Sequence, residues 1–190
     1  SGSAGGDILT AEVDFVKSLI DRLSDNGQNF GCLKVGIMNW GSQNIVRIGL
    51  STDYQAIKTA LNVGQAIGGS KPELCLDAAQ TMLTDTSKLG ARDAALKVIV
   101  LLADGIQPRA SDPALTSANA AKNAGTTIVG IGIGDNMATM AEQMKLYCSA
   151  PVADHWTNVP DESQLSTHIS RVEAAVCPAK VQSCDGSGSG

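Results

Sequence analysis

Three short segments of this 190-residue chain put oxygen ligands where strands hand over to helices. Ser1-Gly2-Ser3 stands directly ahead of an amphipathic stretch, its two hydroxyls spaced so that both can face one point. Ser70 lies in the turn Gly68-Gly69-Ser70-Lys71-Pro72. Asp104 follows the apolar run Leu96–Leu102 and is itself followed by Gly105. One carboxylate flanked by hydroxyls suits a hard divalent cation, since Mg²⁺ takes near-octahedral oxygen ligands and usually keeps several waters. So few anionic ligands leave the ion net positive and able to accept a further carboxylate from a partner. Each residue also has a plainer reading: Ser70 and Asp104 as turn formers, Ser1 and Ser3 as a cloning remnant.

The elements that would position these residues alternate along the chain. Ile8 to Leu23 places Ile8, Val13, Val16, Leu19, Ile20 and Leu23 largely on one helical face, and Asn26-Gly27 ends that helix. Leu33–Met38 and Ile45–Leu50 read as strands about a Gly41-Ser42 turn, and Asp53 caps a helix running through Val63. Glu73–Leu83 is helical. Leu96–Leu102 is a near-continuous apolar run, the mark of a strand buried on both faces. Asp112-Pro113 opens a helix that ends at Asn123-Ala124-Gly125, and Thr126–Ile133 is a second buried strand. A helix over Met137–Tyr147, a short strand over His155–Val159 and an amphipathic helix over Glu162–Val176 complete the series. The fold class that follows is α/β: a doubly wound, mainly parallel open sheet with helices on both faces. Such sheets bind ligands beyond the carboxyl ends of their strands, where these loops lie.

Composition narrows the function classes. The length is that of one domain. With 14 Lys plus Arg against 19 Asp plus Glu, the net charge is −5 and no basic cluster offsets it, which argues against a nucleic-acid face. No run of about 20 apolar residues is present, so nothing in the sequence reads as a membrane span. Aromatic residues are 3% of the chain, leaving the core to Ala, Val, Ile and Leu, a habit of parallel sheets. Cys32, Cys75, Cys148, Cys177 and Cys184 contain no C-x-x-C pair, which disfavours zinc ribbons and thioredoxin-type motifs. Cys75, and with it Cys32, reads as a small buried hydrophobe. Cys177 with Cys184, or one of them with Cys148, is expected to form a disulfide, placing the chain outside the cell.

With these residues in place, the sequence resembles the von Willebrand factor type A domain, the inserted domain of integrins. That family's metal-ion-dependent adhesion site combines D-x-S-x-S, a loop threonine and an aspartate in a T-D-G turn. Ser1 and Ser3 match the two serines of the first element, and Ser70 matches the threonine of a G-G-T loop, keeping the hydroxyl. Asp104 matches the aspartate, with Ala103 where the family often has threonine. The resemblance runs through Thr126–Gly134 to the last helix at Cys177, which implies a domain over 1–177 and a polar Cys/Gly/Ser tail over 178–190. It also implies a first strand, carrying the motif's aspartate, ahead of Ser1 and at the sheet's centre.

The function implied is an extracellular, secreted or cell-surface adhesion module, not an enzyme. Mg²⁺ (or Mn²⁺) would be held by Ser1, Ser3, Ser70 and Asp104, directly or through water. The partner would be a protein of the extracellular matrix or a cell surface that offers an acidic side chain. An alternative is a structural matrix or assembly domain whose metal site is vestigial, favoured by Ala103, by Ser70 and by the lack of an aspartate before Ser1. A nucleotide-using Rossmann-type enzyme ranks third. Gly130-x-Gly132 fails G-x-G-x-x-G at Asp135, so its glycines read as close helix–strand packing. His155, on the last strand, and His168, on the last helix, form no H-E-x-x-H, and no G-x-S-x-G turn occurs. Met137, Met140 and Met144 read as helix-face packing.

The tail holds a literal D-x-S-x-S in Asp185-Gly186-Ser187-Gly188-Ser189. It reads as a linker matching by chance, the opening of a following tandem copy, or a permuted or swapped completion of the site. Lys180–Cys184 is too polar for a central buried strand, and Asp185 is not assigned to the site.

Overall fold

The aliphatic runs become parallel strands. The structure is a computed structural model and describes residues 4–24, 33–62, 71–103, 112–134, 137–160 and 162–176. Strand β3 (Lys97–Ala103) pairs in parallel with β4 (Thr126–Ile133), which pairs in parallel with β5 (Trp156–Val159). Helix α4 (Pro113–Asn123) connects β3 to β4, and α5 (Met137–Tyr147) with the turn α6 (Val152–His155) connects β4 to β5. Upstream, α1 (Ala4–Leu23) precedes an antiparallel hairpin of β1 (Val35–Trp40) and β2 (Asn44–Ser51). Then come α2 (Tyr54–Ala60) and α3 (Pro72–Thr84). After β5, a 3₁₀ segment (Glu162–His168) leads into α7 (Ile169–Val176).

Period-two alternation sorts the parallel sheet into two cores. Ile99, Leu101, Ala103 and Ile128 face α3, α4 and α5, where Leu76, Ala118 and Met144 are buried. Val129, Ile131 and Ile133 face the other way, against Phe15 and Leu19 of α1 and Val172 of α7. Burying a side chain such as Ile128 or Ile131 completely contributes roughly 2–3 kcal/mol. Helices therefore cover both faces, as the alternation of elements predicts.

Two helices also tie the hairpin to the parallel sheet. Val16 of α1 packs in the β4–α7 core and in a third cluster, where Ile20, Ile57 and Leu61 meet Val35, Ile37 and Ile48 of the hairpin. On the opposite face Met38 and Trp40 pack against the core that contains Cys75 and Leu76 of α3. Among the described residues β1 pairs with β2 alone, and β3 with β4 alone.

Local chemistry sets most boundaries. Asp53 caps α2 by accepting the Ala56 amide at 2.9 Å, and Asp112 caps α4 ahead of Pro113. Gly125 follows α4 at φ +83°, a left-handed conformation that glycine adopts without strain. Gly130 serves close approach instead: a Cβ there would lie 2.6 Å from Cys148 Sγ and 3.1 Å from the Trp156 ring. The packing reading of the glycines holds at that position.

Several expectations shift. The first hairpin strand runs two residues later than Leu33–Met38, because pairing continues to Trp40↔Asn44 around a loop closed by the Gly41 amide on the Gln43 carbonyl at 3.1 Å. β3 is not buried on both faces: Val98, Val100 and Leu102 are half-buried, whereas β4 is buried at every position but Thr127. His155 closes the α6 turn, with Nδ1 3.0 Å from the Pro151 carbonyl, and β5 starts at Trp156. The last helix divides, its first part being 3₁₀, where the Thr167 hydroxyl bonds the Gln164 carbonyl at 2.7 Å and competes for the backbone. Cys75 is buried as expected, and Cys148 is a buried free thiol that donates to the Met144 carbonyl. Cys32, Cys177 and Cys184 lie outside the described residues, as does the 178–190 tail with Asp185. Met144 is fully buried in the core.

Candidate functional site

Ser1, Ser3, Ser70 and Asp104 all lie outside the described residues, so the site is built from the residues beside them. Ser1 and Ser3 run into α1, whose helical backbone begins at Ala4. Ser70 is followed by Lys71, the N-cap position of α3, and by Pro72 at its first turn. Asp104 follows Ala103, which closes β3 in register with Gly132.

One corner links two of these three approaches. At the end of β1 the Trp40 indole Nε1 donates to the Leu102 carbonyl at 3.3 Å, two residues before Asp104. The next residue, Gly41, accepts the Lys71 amide at 3.1 Å, one residue after Ser70. The dipeptide Trp40-Gly41 thus holds the flanks of Ser70 and of Asp104 at the carboxyl ends of β1 and β3. A second contact supports it, the Asn44 side-chain amide donating to the Leu74 carbonyl in the first turn of α3. Among the described residues, no backbone hydrogen bond joins the Ala4 end of α1 to this corner.

Sequence reasoning passed over Trp40 and read Gly41 only as part of a turn. The available signal was an indole, in a chain with 3% aromatics, closing a strand beside a glycine.

A polar cluster joins the start of α4 to α5. Asp112 Oδ1 accepts the Leu115 amide at 3.2 Å, Asp112 Oδ2 accepts Gln143 Nε2 at 2.8 Å, and both oxygens accept the Tyr147 hydroxyl at 3.0 Å. Burial drives the Tyr147 hydroxyl well above the usual phenol range, and the bond to Asp112 adds to the effect. The carboxylate of Glu73, in the first turn of α3, acts on the same hydroxyl in the same direction.

The donor chemistry fits a divalent cation. Three hydroxyls and one carboxylate are all hard oxygen donors, with no imidazole or thiolate to favour zinc or copper. Among the described residues no group of three or more His, Cys, Asp or Glu is arranged to hold a metal. No helix of the described residues is long and apolar enough to cross a membrane.

Known proteins were compared with this chain at three levels. The family model described as the von Willebrand factor type A domain matches residues 1–171. Proximal thread matrix protein 1 from the mussel byssus superposes with a TM-score of 0.75 at 21% identity, covering 90% of this chain and 44% of that one. Another structure of that protein, described as having a zinc-occupied MIDAS motif, gives 0.75 at 18% identity over 90% of this chain and 43% of that one. The vWF domain of the type V pilus tip protein Mfa5 from Porphyromonas gingivalis gives 0.79 at 11% identity, covering 96% of this chain and 92% of that one. This chain spans less than half the length of the byssus protein. At these identities the likeness is one of fold. No curated protein sequence matches.

Proposed function

Because the chain belongs to the von Willebrand factor type A domain family, we propose that it is an extracellular protein-binding module, not an enzyme, whose partner docks an acidic side chain at a divalent metal site. Ser1, Ser3, Ser70 and Asp104 would hold Mg²⁺ or Mn²⁺, directly or through water. When bound, the ion supplies an electrophilic coordination position for a partner's carboxylate. The chain's own part is to set hydroxyl and carboxylate oxygens around one point and to keep them there.

The observation that carries this reading is the Trp40-Gly41 corner. Its two hydrogen bonds, to Leu102 and Lys71, draw the flanks of Asp104 and Ser70 to one end of the sheet. That is where an open α/β sheet binds its ligands. The family and the zinc-occupied motif of the byssus protein support a metal at such a site. The byssus and pilus settings named for the similar structures support a place outside the cell.

A second reading, a structural matrix or assembly domain with a vestigial metal site, is favoured by the likeness to a thread matrix protein and by Ala103 beside Asp104. Isothermal titration of the chain with Mg²⁺ and with Mn²⁺ separates the two. Saturable binding that Asp104→Ala abolishes supports the metal-dependent module. Absence of binding, or binding that survives Asp104→Ala, overturns the metal-dependent module, and partner binding unaffected by chelator selects the matrix reading.

A further inference from the structure

We draw no further inference here: the strongest candidate, the exposed apolar patch of Ile45 and Val46 at the start of β2 with Leu74 in the first turn of α3, brought together by the bond from Asn44 to the Leu74 carbonyl, carries nothing because no feature of the structure shows what covers it.

Discussion

The Trp40 indole donates its N–H to the Leu102 carbonyl across 3.3 Å, joining the antiparallel hairpin to the carboxyl end of the parallel strand that leads to Asp104. Phenylalanine at this position keeps an aromatic ring against the α3 core and cannot donate. Trp40→Phe should therefore cost about 1 kcal/mol, the usual worth of one such bond. Trp40→Ala, which also empties the ring's place, should cost about 3 kcal/mol, because truncating a core aromatic adds a cavity to the lost transfer energy. Urea unfolding midpoints measure both. A Trp40→Phe midpoint equal to that of the parent would show that the contact adds nothing.

Gly130 packs closely against Cys148. A methyl group at position 130 would stand 2.6 Å from Cys148 Sγ, and that thiol is itself buried and bonded to the Met144 carbonyl. Gly130→Ala should destabilise by about 1–3 kcal/mol, as overpacking does in a dense interior. Cys148→Ala removes the sulfur and should also destabilise when made alone. The double variant should recover part of the sum, giving a coupling energy of about 1 kcal/mol in a double-mutant cycle. Strict additivity would contradict the contact.

The buried thiols make stability depend on alkaline pH. Burial pushes Cys75 up to about 12 and Cys148 up to about 11, from 9.0 for a free thiol. The folded chain then keeps both protons at pH values where the unfolded chain releases them. Their contribution is complete below pH 9.0, falls as pH rises past it, and stops falling near 11 for Cys148 and near 12 for Cys75. The slope for each group approaches about 1.4 kcal/mol per pH unit. Replacing Cys75 with alanine should remove one group's share of the slope, whatever it does to stability at pH 7. In native protein at pH 8, iodoacetamide should leave Cys75 and Cys148 unlabelled, and in urea it should label both. Mass-spectrometric mapping of the two peptides reads this directly.

Much of this architecture is visible in the sequence where one physical rule acts alone. Asp53, and Asp112 with Pro113, mark helix starts because a carboxylate satisfies free amides there and proline needs no partner. Thr126–Ile133 reads as a buried strand and is one, since both of its faces are covered. The same rule overreaches at β3, whose apolar run continues through Val98, Val100 and Leu102 although these are only half-buried. Hydrophobicity reports what a residue tolerates, not how many neighbours it finds. The candidate ligands are legible as types and spacing, through Ser1, Ser3, Ser70 and Asp104. What sequence could not reveal is the long-range pairing beside them. Trp40 reaches Leu102 and Gly41 reaches Lys71 across separations of 62 and 30 residues, and no local pattern encodes such pairings.

The half-burial of β3 carries its own test. β4 has partners on both sides: β3 along one edge, and along the other β5 together with Ser149, which accepts the Ile128 amide and donates its own to the Ile128 carbonyl, each at 2.9 Å. β3 pairs with β4 alone among the described residues, and β1 with β2 alone. Amides that point toward an unpaired edge meet water and exchange quickly, whereas doubly paired amides open only with larger unfolding. Hydrogen exchange should therefore find β4 slow throughout, and β3 divided, with the amides facing β4 slow and the alternate amides at least about a hundredfold faster. β1 should divide in the same way. Uniformly slow exchange along β3 would instead mean that another strand lies against its second edge in solution.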